Sequence, residues 1–395
     1  MALSLPAAAP FARVCGAGPT GVLTALALAD AGWRVQLIDP LSRERLLERS
    51  RAYAFTHSSR RLLERLGLWG LVEPCMVPFR QLELCDLALR QQVPFALPDL
   101  GPRRGRAPGA AVGWIAQHQP LMELLLERVL AVPAITLRLG AEPAAPAEPD
   151  LGQQPLEPAD LLVAADGPHS PTREALGIGV WRRSYSQACL TAQVELRGTA
   201  PDQAWELFRP EGPFAVLPLG GQRMQLVWSA PERRCRQLER LDATGFLDAL
   251  AGALPARFQP DALLDAPRAF PLQLLLARRL HRGRAVLVGE SAHRCHPVGG
   301  QGLNLCWRDV AVLHRLAQRV AAGTLPVDRL AGAYGRRRWL DLIATLAFTD
   351  LLVRLFSNRS PVLLPLRRLI LALLARLAVL RRLSLTLMTD GLALS

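Results

Sequence analysis

A glycine-rich turn near the start of the chain constrains the fold more than any other feature. Residues 16–21 read Gly-Ala-Gly-Pro-Thr-Gly, a GxGxxG pattern between an apolar run at 11–15 and a helical pattern at Val22–Ala31. Glycines allow a tight turn and a close approach of backbone to a pyrophosphate, and the helix N-terminus supplies free N–H groups. The order strand, turn, helix predicts dinucleotide binding through Gly16, Gly18 and Gly21.

The next strand pattern, at Trp33–Ile38, leads into Asp39, 18 residues after Gly21. A carboxylate at this spacing can accept hydrogen bonds from a ribose hydroxyl. A lone GxGxxG can equally be a loop in an unrelated fold, so the prediction depends on the strand, the helix and the acid occurring together.

The most specific stretch is 289–304, Gly-Glu-Ser-Ala-His-Arg-Cys-His-Pro-Val-Gly-Gly-Gln-Gly-Leu-Asn, at the end of the apolar run Ala285–Gly289. Its loop opens into a helix at Gly302 and offers several N–H groups to one anionic ligand, for which a reduced isoalloxazine ring is suitable. His293 and His296 have the spacing of an HxxH metal pair. A local structural role is favoured, because no third ligand at metal-like spacing accompanies them.

A further motif, Ala-Asp-Gly-Pro-His-Ser-Pro-Thr-Arg at 165–173, follows the apolar run Leu161–Ala165. Alone it indicates only a strand-end turn with a helix cap, because Asp-Gly and Ser are common turn residues. Pro/Gly-rich stretches at 93–109 and 141–158 are predicted to be loops or connections between elements.

Three alternating runs between residues 181 and 275 predict an antiparallel sheet inserted into the first domain. From about residue 330 to the end the pattern is helical. The three runs are Leu190–Leu196, Phe214–Leu217 and Met224–Trp228.

Together, the three motifs resemble the fingerprints of flavin-dependent aromatic hydroxylases of the p-hydroxybenzoate hydroxylase type, most closely the ubiquinone-biosynthesis branch. The resemblance covers nearly the whole chain. It implies an α/β fold, with a FAD-binding Rossmann-like domain of the glutathione-reductase type, an inserted antiparallel-sheet substrate domain and C-terminal helices. Supporting sequences are Arg-Ala-Tyr-Ala at 51–54, Leu-Glu-Arg-Leu-Gly-Leu-Trp at 63–69, Gly-Pro-Phe-Ala-Val-Leu-Pro-Leu at 212–219, Thr349-Asp350, and Leu-Phe-Ser-Asn at 355–358.

The predicted domains are discontinuous in sequence. The FAD-binding domain comprises residues 1–77, 110–180 and 276–350, the substrate domain 78–109 and 181–275, and the basic, leucine-rich helices 351–395. These boundaries are expectations from the pattern of elements along the chain.

The resemblance also implies roles for individual residues. The glycines of the first turn would pack on the FAD pyrophosphate, with Asp39 on the adenosine ribose and Arg51 facing the phosphates or the ribityl chain. Asp166 and Gly167 would belong to the motif associated with both FAD and NAD(P)H. The third motif would contact the ribityl hydroxyls through Gly289-Glu290 and the pyrimidine edge of the flavin through Gly299, Gly300, Gln301, Gly302, Leu303 and Asn304.

One residue departs from the family pattern. Where the family usually has Gly-Asp, this chain has Gly289-Glu290. Glutamate also accepts hydrogen bonds, but its extra methylene moves the carboxylate outward by about one C–C bond, roughly 1.5 Å. We therefore expect the flavin to be held less tightly, or the strand end to shift.

The implied reaction uses NAD(P)H to reduce FAD and O₂ to hydroxylate an electron-rich ring, with a lipophilic prenylated phenol or quinone precursor as substrate. The flavin carries the oxygen chemistry, so neither a catalytic triad nor a metal is expected. Tyr185 is a candidate active-site residue, with a packing role as the alternative. Alternative functions are a flavin-dependent isoprenoid reductase or epoxidase, and a non-catalytic membrane-associated flavoprotein.

The basic residues are concentrated at the end of the chain. All 47 are arginine, and the formal net charge is +13. Residues 351–395 hold seven arginines and one acid, a net of +6, together with 17 leucines. Arg367, Arg368, Arg381 and Arg382 fall within one helical arc of about 140°. This pattern predicts either an interfacial helix on an anionic membrane or a helical pair packed on the FAD domain with solvated arginines.

Composition narrows the remaining classes. Nucleic-acid binding is disfavoured, because the tail has a single aromatic residue, Phe356, and no recognition motif is present. Seven cysteines without a CxxC favour reduced thiols and a cytoplasmic protein, peripheral on the cytoplasmic face of a membrane if the tail is interfacial. Residues 1–10 lack a basic n-region, so no signal peptide is predicted.

Overall fold

A computed structural model describes residues 9–48, 50–140, 159–358 and 360–391. Within these residues the chain alternates short strands with helices before ending in four consecutive helices. The strands are β1 (Phe11–Cys15), β2 (Arg34–Asp39), β3 (Ala52–Phe55), β4 (Met76–Phe79), β5 (Gln81–Asp86), β6 (Gln91–Ala96), β7 (Gly113–Gln117), β8 (Ile135–Leu139), β9 (Leu161–Ala164), β10 (Val180–Arg197), β11 (Gln203–Arg209), β12 (Gly212–Pro218), β13 (Arg223–Pro231), β14 (Gln259–Leu263), β15 (Arg268–Ala277), β16 (His281–Arg282), β17 (Ala285–Leu287) and β18 (His293–Arg294).

The helices differ greatly in length, and the longest of them follow the last strand. They are α1 (Pro19–Asp30), α2 (Arg43–Leu47), α3 (His57–Arg65), α4 (Trp69–Val72), α5 (Pro102–Gly105), α6 (His118–Leu130), α7 (Pro171–Ala175), α8 (Glu232–Glu239), α9 (Ala243–Ala251), α10 (Gln301–Ala321), α11 (Val327–Phe356), α12 (Leu364–Arg376) and α13 (Ala378–Asp390).

A six-stranded sheet in the order β16-β17-β9-β1-β2-β8 carries the first and third motifs. The five strands from β17 to β8 are parallel, so the carboxyl ends of β1, β9 and β17 lie side by side. Continuous apolar runs such as Val-Leu-Ile suit strands that are buried on both faces. Helices α1 and α10 pack together over the sheet, and Trp33 Nε1 donates to the Ala317 carbonyl at 3.1 Å.

A second sheet of nine strands follows the order β18-β15-β10-β13-β12-β11-β5-β6, with β14 beside β10. All its pairs are antiparallel except β11 with β5. One face packs under α8 and α9 on a core that includes Trp205, Leu207 and Trp228. The opposite face, with Ala204 and Phe208, belongs to a different core that also holds residues of α11, α12 and α13.

A three-stranded antiparallel sheet, β3-β7-β4, links the two larger sheets. The C-terminal helices lie against the edge strand of the nine-stranded sheet, where α12 contacts β6 and α13 contacts α3 and the 3₁₀ turn Leu97–Leu100. Phe208 on β11 stacks on Phe356 at the end of α11, with 4.2 Å between ring centroids.

The predicted fold class is confirmed, with parallel and antiparallel sheets followed by helices. The stretch 93–109 was predicted to be a loop or a connection between elements, but it begins in β6, which continues to Ala96 and is followed by a 3₁₀ turn and the short helix α5. Alternating Val93 and Phe95 bury one face of β6, and this outweighs the local prolines. The predicted loop 141–158 lies outside the described residues. The domain division stays a prediction, and its boundary after residue 350 falls inside α11.

Candidate functional site

The first glycine turn is tightly packed where it joins the sheet. Gly16 has φ +99°, and a Cβ there would lie 2.4 Å from the Ala165 carbonyl oxygen. A Cβ on Gly21 would lie 1.7 Å from the Gly16 carbonyl oxygen. No side chain caps α1, whose N-cap is Gly18, and a Cβ on Gly18 would meet open space. The turn thus leaves the N–H groups of the first helical turn free for an anionic ligand.

Asp39, at the end of β2, is buried and holds this turn in place. Its Oδ2 accepts a hydrogen bond from Ala17 N at 2.6 Å, and its Oδ1 accepts one from Leu41 N at 2.8 Å. Each carboxylate oxygen can accept a further bond, so Asp39 can shape the turn and also receive a ribose hydroxyl.

The Asp-Gly motif connects the first motif to the third. Asp166 accepts hydrogen bonds from the Ser170 hydroxyl and from Thr172 N, so the turn precedes α7 in a fixed geometry. Arg173 is buried and donates to the carbonyl of Ser291 at 3.0 Å. The ends of β9 and β17 are therefore joined by side chains as well as by the ladder between the strands.

The third motif forms a loop that enters α10 through Gly300, in the left-handed region and without a side-chain cap. Asn304 is buried, and its Nδ2 donates to the carbonyls of Ala54 and Gly300, both at 2.7 Å. Its Oδ1 accepts from Thr56 N and from the Ser59 hydroxyl. These bonds fix the loop against β3 and α3.

A cavity of about 870 Å³ extends from these loops to the C-terminal helices. Small-molecule sites usually measure about 300–1,000 Å³, so this one lies near the upper end of the range. The two uncapped helix N-termini, of α1 and α10, open onto it. The predicted residues that line it are Gly16, Gly18, Asp39, Arg51, Asp166, Gly167, Glu290, Gly299, Gly300, Gly302 and Leu303.

Five predicted residues lie outside the cavity lining. Gly21 and Gly289 lie where neighbouring atoms pack closely around the backbone. The amide of Asn304 is hydrogen-bonded to the loop itself, to β3 and to α3. Gln301 Nε2 donates to the carbonyls of Gly299 and Met388, both at 3.0 Å. Tyr185 is half-buried and packs edge-on against His296, with 5.2 Å between ring centroids. The roles of all five at a cofactor or substrate stay predictions. Gly21, Gly289, Gln301 and Asn304 support the loops that line the cavity without lining it themselves.

The surroundings of Tyr185 disfavour ionisation of its phenol. Burial raises the pKa of its phenol, and the nearby Asp350 carboxylate raises it further. The hydroxyl makes no hydrogen bond to any residue that the structure describes. The geometry therefore supports packing by Tyr185 at least as well as catalysis.

Two charged predicted residues face the cavity differently. The Glu290 side chain is 44% exposed, and its Oε1 lies 3.8 Å from Arg294 Nε. The Arg51 guanidinium carbon lies 5.9 Å from the centroid of the Phe270 ring. Both side chains border the cavity; Glu290 has this one long ion pair and Arg51 has none among the described residues, so both can reach a polar ligand.

A buried ionic network lies beneath the third motif. Asp309 on α10 accepts hydrogen bonds from Gly289 N at 2.8 Å and from His293 Nε2 at 2.7 Å, and it also pairs with Arg338 at 2.6 Å. Burial raises the pKa of Asp309, but the charge of His293 and Arg338 outweighs it and the net pKa is lowered. Asp341 bridges Arg338 to Arg308. The network fixes the loop onto α10 and α11.

The two histidines of the HxxH pattern have local roles. His293 is part of this network, and His296 Nδ1 accepts a hydrogen bond from Val298 N at 3.2 Å. Burial lowers the pKa of His296 to about 3. Across 9–48, 50–140, 159–358 and 360–391, no three His, Cys, Asp or Glu side chains group as metal ligands.

Sequence reasoning missed the wall of the cavity opposite the glycine loops. Glu206 on β11 lines the cavity among apolar neighbours. The signal that could have found it is a single charge in an otherwise apolar run, Ala-Trp-Glu-Leu-Phe at 204–208. The C-terminal helices complete this wall with residues that no motif marks. They are Ile370, Leu371, Leu373, Leu374, Leu380, Leu383, Ser384, Leu387 and Met388.

The C-terminal arginines are arranged differently from both predictions. Arg367 is buried and pairs with Asp86 at 3.1 Å, and Arg381 pairs with Asp99 at 3.1 Å. These two therefore do not form one solvated or lipid-facing arc with Arg368 and Arg382. The predicted packing on the FAD domain is also incomplete. Both arginines pair with carboxylates of the predicted substrate domain, Asp86 on β5 and Asp99 in the 3₁₀ turn after β6.

The fold and the site define a class, a FAD-binding oxidoreductase whose cofactor loops face a sheet-walled cavity. The family described as FAD binding domain matches residues 11–78 and 150–340. The chain belongs to this family, and its predicted cofactor, FAD, is confirmed.

Similar proteins identify the enzyme class. The chain is 34% identical to the ubiquinone hydroxylase UbiL of Rhodospirillum rubrum, over 94% of this chain and 87% of the relative. It is 31% identical to the 3-demethoxyubiquinol 3-hydroxylase of Escherichia coli, over 93% and 95%. The solved p-nitrophenol 4-monooxygenase PnpA of Pseudomonas putida has the same fold, with a TM-score of 0.77 at 18% identity, over 95% and 96%. The prediction of a FAD-dependent monooxygenase is confirmed.

Proposed function

We propose that the chain uses NAD(P)H and O₂ to hydroxylate a phenolic ring that carries a prenyl tail, in the biosynthesis of a ubiquinone-like quinone. The continuous cavity carries this proposal. It joins the glycine loops to leucines of α12 and α13, and Leu373, Leu383 and Leu387 are at once cavity-lining and exposed. One site therefore offers room for a cofactor, a ring and an apolar tail that leaves at the surface. The relatives are a ubiquinone hydroxylase and a 3-demethoxyubiquinol 3-hydroxylase.

The proposed roles of the cofactor-side residues follow from the geometry. The N–H groups at the start of α1 bind a pyrophosphate, and Asp39 accepts a bond from a ribose hydroxyl. Arg51 and Asp166 border the same side of the cavity, and Glu290 reaches the ribityl chain. The loop Gly299–Asn304 directs the N-terminus of α10 at the pyrimidine edge.

When bound, FAD supplies the redox and oxygen chemistry. The protein's part is to hold the ring next to the cofactor and to keep water away. Leu82, Leu84, Phe95, Phe208 and Leu217 form the apolar wall that does so. A wall of this kind binds the ring by its apolar surface and leaves its orientation to the polar groups of the site.

Product analysis tests this function. The protein is loaded with FAD, mixed with NAD(P)H, O₂ and a prenylated phenol, and the product is examined for mass and for the position of the added oxygen. We expect one oxygen atom on the ring and NAD(P)H oxidation that the phenol accelerates. Oxygen on the prenyl tail would indicate an epoxidase instead, and a protein that takes up no FAD would refute the proposal.

A membrane surface is the second part of the proposal. Apolar side chains on and beside α12 and α13 are exposed, among them Val362 at 80%, Leu369 at 56% and Val379 at 74%. Arg368, Arg376 and Arg382 are exposed near them and can meet anionic headgroups. A prenyl tail leaving between these helices would pass directly into the lipid. Among the described helices none is long and apolar enough to cross a membrane.

Binding to vesicles tests whether the exposed apolar side chains of the C-terminal helices contact a membrane. Replacing Val362, Leu369 and Val379 together by Ser should lower partitioning onto phosphatidylglycerol vesicles by about 10-fold or more, since each buried apolar side chain contributes on the order of 1 kcal/mol. The matched control replaces Leu130 and Leu264 by Ser, because both are exposed but lie outside the C-terminal helices. Equal loss in the two variants, or none, would contradict an interfacial role for these helices.

A further inference from the structure

One carboxylate interrupts the apolar wall of the cavity. Among the described residues of the nine-stranded sheet that line the cavity, Glu206 is the only acidic one. Its neighbours in register are Leu84 on β5 and Ala215 on β12, which also line the cavity. Residues alternate between faces along a strand, so the next residue, Leu207, points into the core on the other side.

Glu206 has little to compensate for its burial. The residue is 7% exposed, and among the described residues the only hydrogen bond to its carboxylate comes from Gly299 N, 3.3 Å from Oε2. Within the described ranges no arginine or histidine lies within ion-pair distance of it. Burial raises the pKa of this carboxyl to about 7, although the Gly299 N–H lowers it. An unpaired buried carboxylate is costly, and a partner that donates a hydrogen bond offsets the cost.

The position of Glu206 says where such a partner would lie. Gly299 begins the loop that we assign to the pyrimidine edge of the flavin, so Glu206 lies where that loop meets the apolar wall. A ring held against Leu84 and Leu217 would place a substituent next to the carboxylate. The other acidic residues that line the cavity, Asp39, Asp166 and Glu290, all come from the cofactor side.

We propose that Glu206 accepts a hydrogen bond from the ring hydroxyl of the substrate, and so selects phenols and hydroquinones over quinones and methyl ethers. This inference rests on the proposed function, because it needs an aromatic ring in the cavity. When ionised, Glu206 can only accept hydrogen bonds, and a quinone or an ether, which has only acceptor oxygens, gives it no partner beyond Gly299 N. Sites built to pair with a hydroxyl reject analogues that lack it much more strongly than apolar pockets reject a size change.

The test compares two ligands in the FAD-loaded protein without NAD(P)H, so that no turnover occurs. Dissociation constants for 2-geranylphenol and 2-geranylanisole are measured from changes in flavin absorbance. The measurement is made at about pH 8.5, where Glu206 is ionised, and a hydrogen bond to the charged group predicts that the wild-type protein prefers the phenol by about 10- to 100-fold. Glu206→Leu should bring this ratio close to one. Glu206→Gln, which keeps the shape and an acceptor oxygen, should keep part of the preference.

Glu83→Gln is the matched control, because Glu83 is a buried carboxylate on the adjacent strand β5 but does not line the cavity. It accepts from Gln81 Nε2 at 2.6 Å, and it faces Trp205 across the pair of strands. This variant should keep the wild-type ratio. FAD affinity, measured for each variant, should stay unchanged and so shows that the site has folded.

The outcomes separate the two proposals. A phenol preference that survives in Glu206→Leu, in a wild-type protein that hydroxylates the phenol, would overturn the role of Glu206 and leave the proposed function intact. A wild-type protein that binds neither ligand and hydroxylates neither would overturn the proposed function and with it the role of Glu206. Loss of the preference in Glu206→Leu, a reduced preference in Glu206→Gln and the wild-type ratio in Glu83→Gln would support the assignment.

Discussion

The two ends of the cavity are built from different interactions. At the cofactor end, glycine turns expose backbone N–H groups, and Asp39, Asn304 and Asp309 fix those turns by hydrogen bonds to the backbone. At the helical end, leucines of α12 and α13 provide the surface, and a few arginine–carboxylate pairs such as Arg367–Asp86 attach the helices to the sheet.

This difference explains how each end recognises its ligand. Backbone amides at helix N-termini have fixed positions and directions, so they suit a charged group of constant shape. An apolar wall is non-directional and tolerates a long, variable tail. The cofactor end therefore suits one charged group of fixed shape, and the helical end accommodates apolar tails of different lengths. Three substitutions test this contrast.

The largest effect is expected from Asp309→Ala. The change leaves Gly289 N, His293 and Arg338 without their shared buried acceptor, and breaking such a network should cost about 5 kcal/mol of unfolding free energy. Because the same residues hold the flavin loop, FAD affinity should also fall. Urea unfolding and flavin fluorescence measure the two losses. Asp328→Ala is the control, since Asp328 forms an exposed pair with Arg284; a similar loss there would contradict the assignment.

Arg367→Leu tests the helical end. It leaves Asp86 buried without its cation, but Asp86 keeps hydrogen bonds from Ala88 N and Leu89 N, so we expect a smaller loss of about 3 kcal/mol. FAD affinity should change little, in contrast to Asp309→Ala. The adjacent variant Arg368→Leu removes an exposed arginine from the same helix and should change the unfolding free energy by less than about 0.5 kcal/mol. Equal effects of the two variants in urea unfolding would show that burial of Arg367 does not matter.

The smallest effect is expected from Glu206→Gln, and it depends on pH. The folded-state pKa of Glu206 is about 7 against an ordinary 4.5, so the folded protein binds the proton more tightly and loses stability as pH rises through this window. The amide does not titrate. Relative to wild type, the FAD-free variant should therefore gain on the order of 2 kcal/mol of unfolding free energy between pH 5 and pH 8. A difference that is constant with pH would contradict the raised pKa.

The same contrast governs what the sequence could predict. Backbone recognition needs glycine at defined spacing, so the turn at 16–21 and the loop at 299–304 could be located from residue order alone. Asp39 was also predictable, since its distance from the turn is fixed by one helix and one strand. The wall formed by β11 and α12 was not, because apolar contacts depend on the tertiary arrangement and leave no spacing rule.

Two errors have the same origin. A helical wheel places Arg367 and Arg381 on one arc with Arg368 and Arg382. It contains no information about Asp86 on β5 and Asp99 in the 3₁₀ turn after β6, which lie about 280 residues earlier. The prolines at 93–109 predicted a loop or connection, yet β6 forms through Ala96 because Val93 and Phe95 find a buried surface. Long-range partners decide which side of a short helix faces inward.

Asp390, at the end of α13, bonds to Arg61 on α3 and to Arg104 on α5. A ribosome makes the chain from its N-terminus, so all three glycine loops are complete before α12 and α13 exist. Until those helices emerge, the apolar wall stays open to the surroundings along one side. The contacts of Asp390 are thus among the last to form during synthesis, and they close the helical end of a cavity whose glycine loops are already assembled.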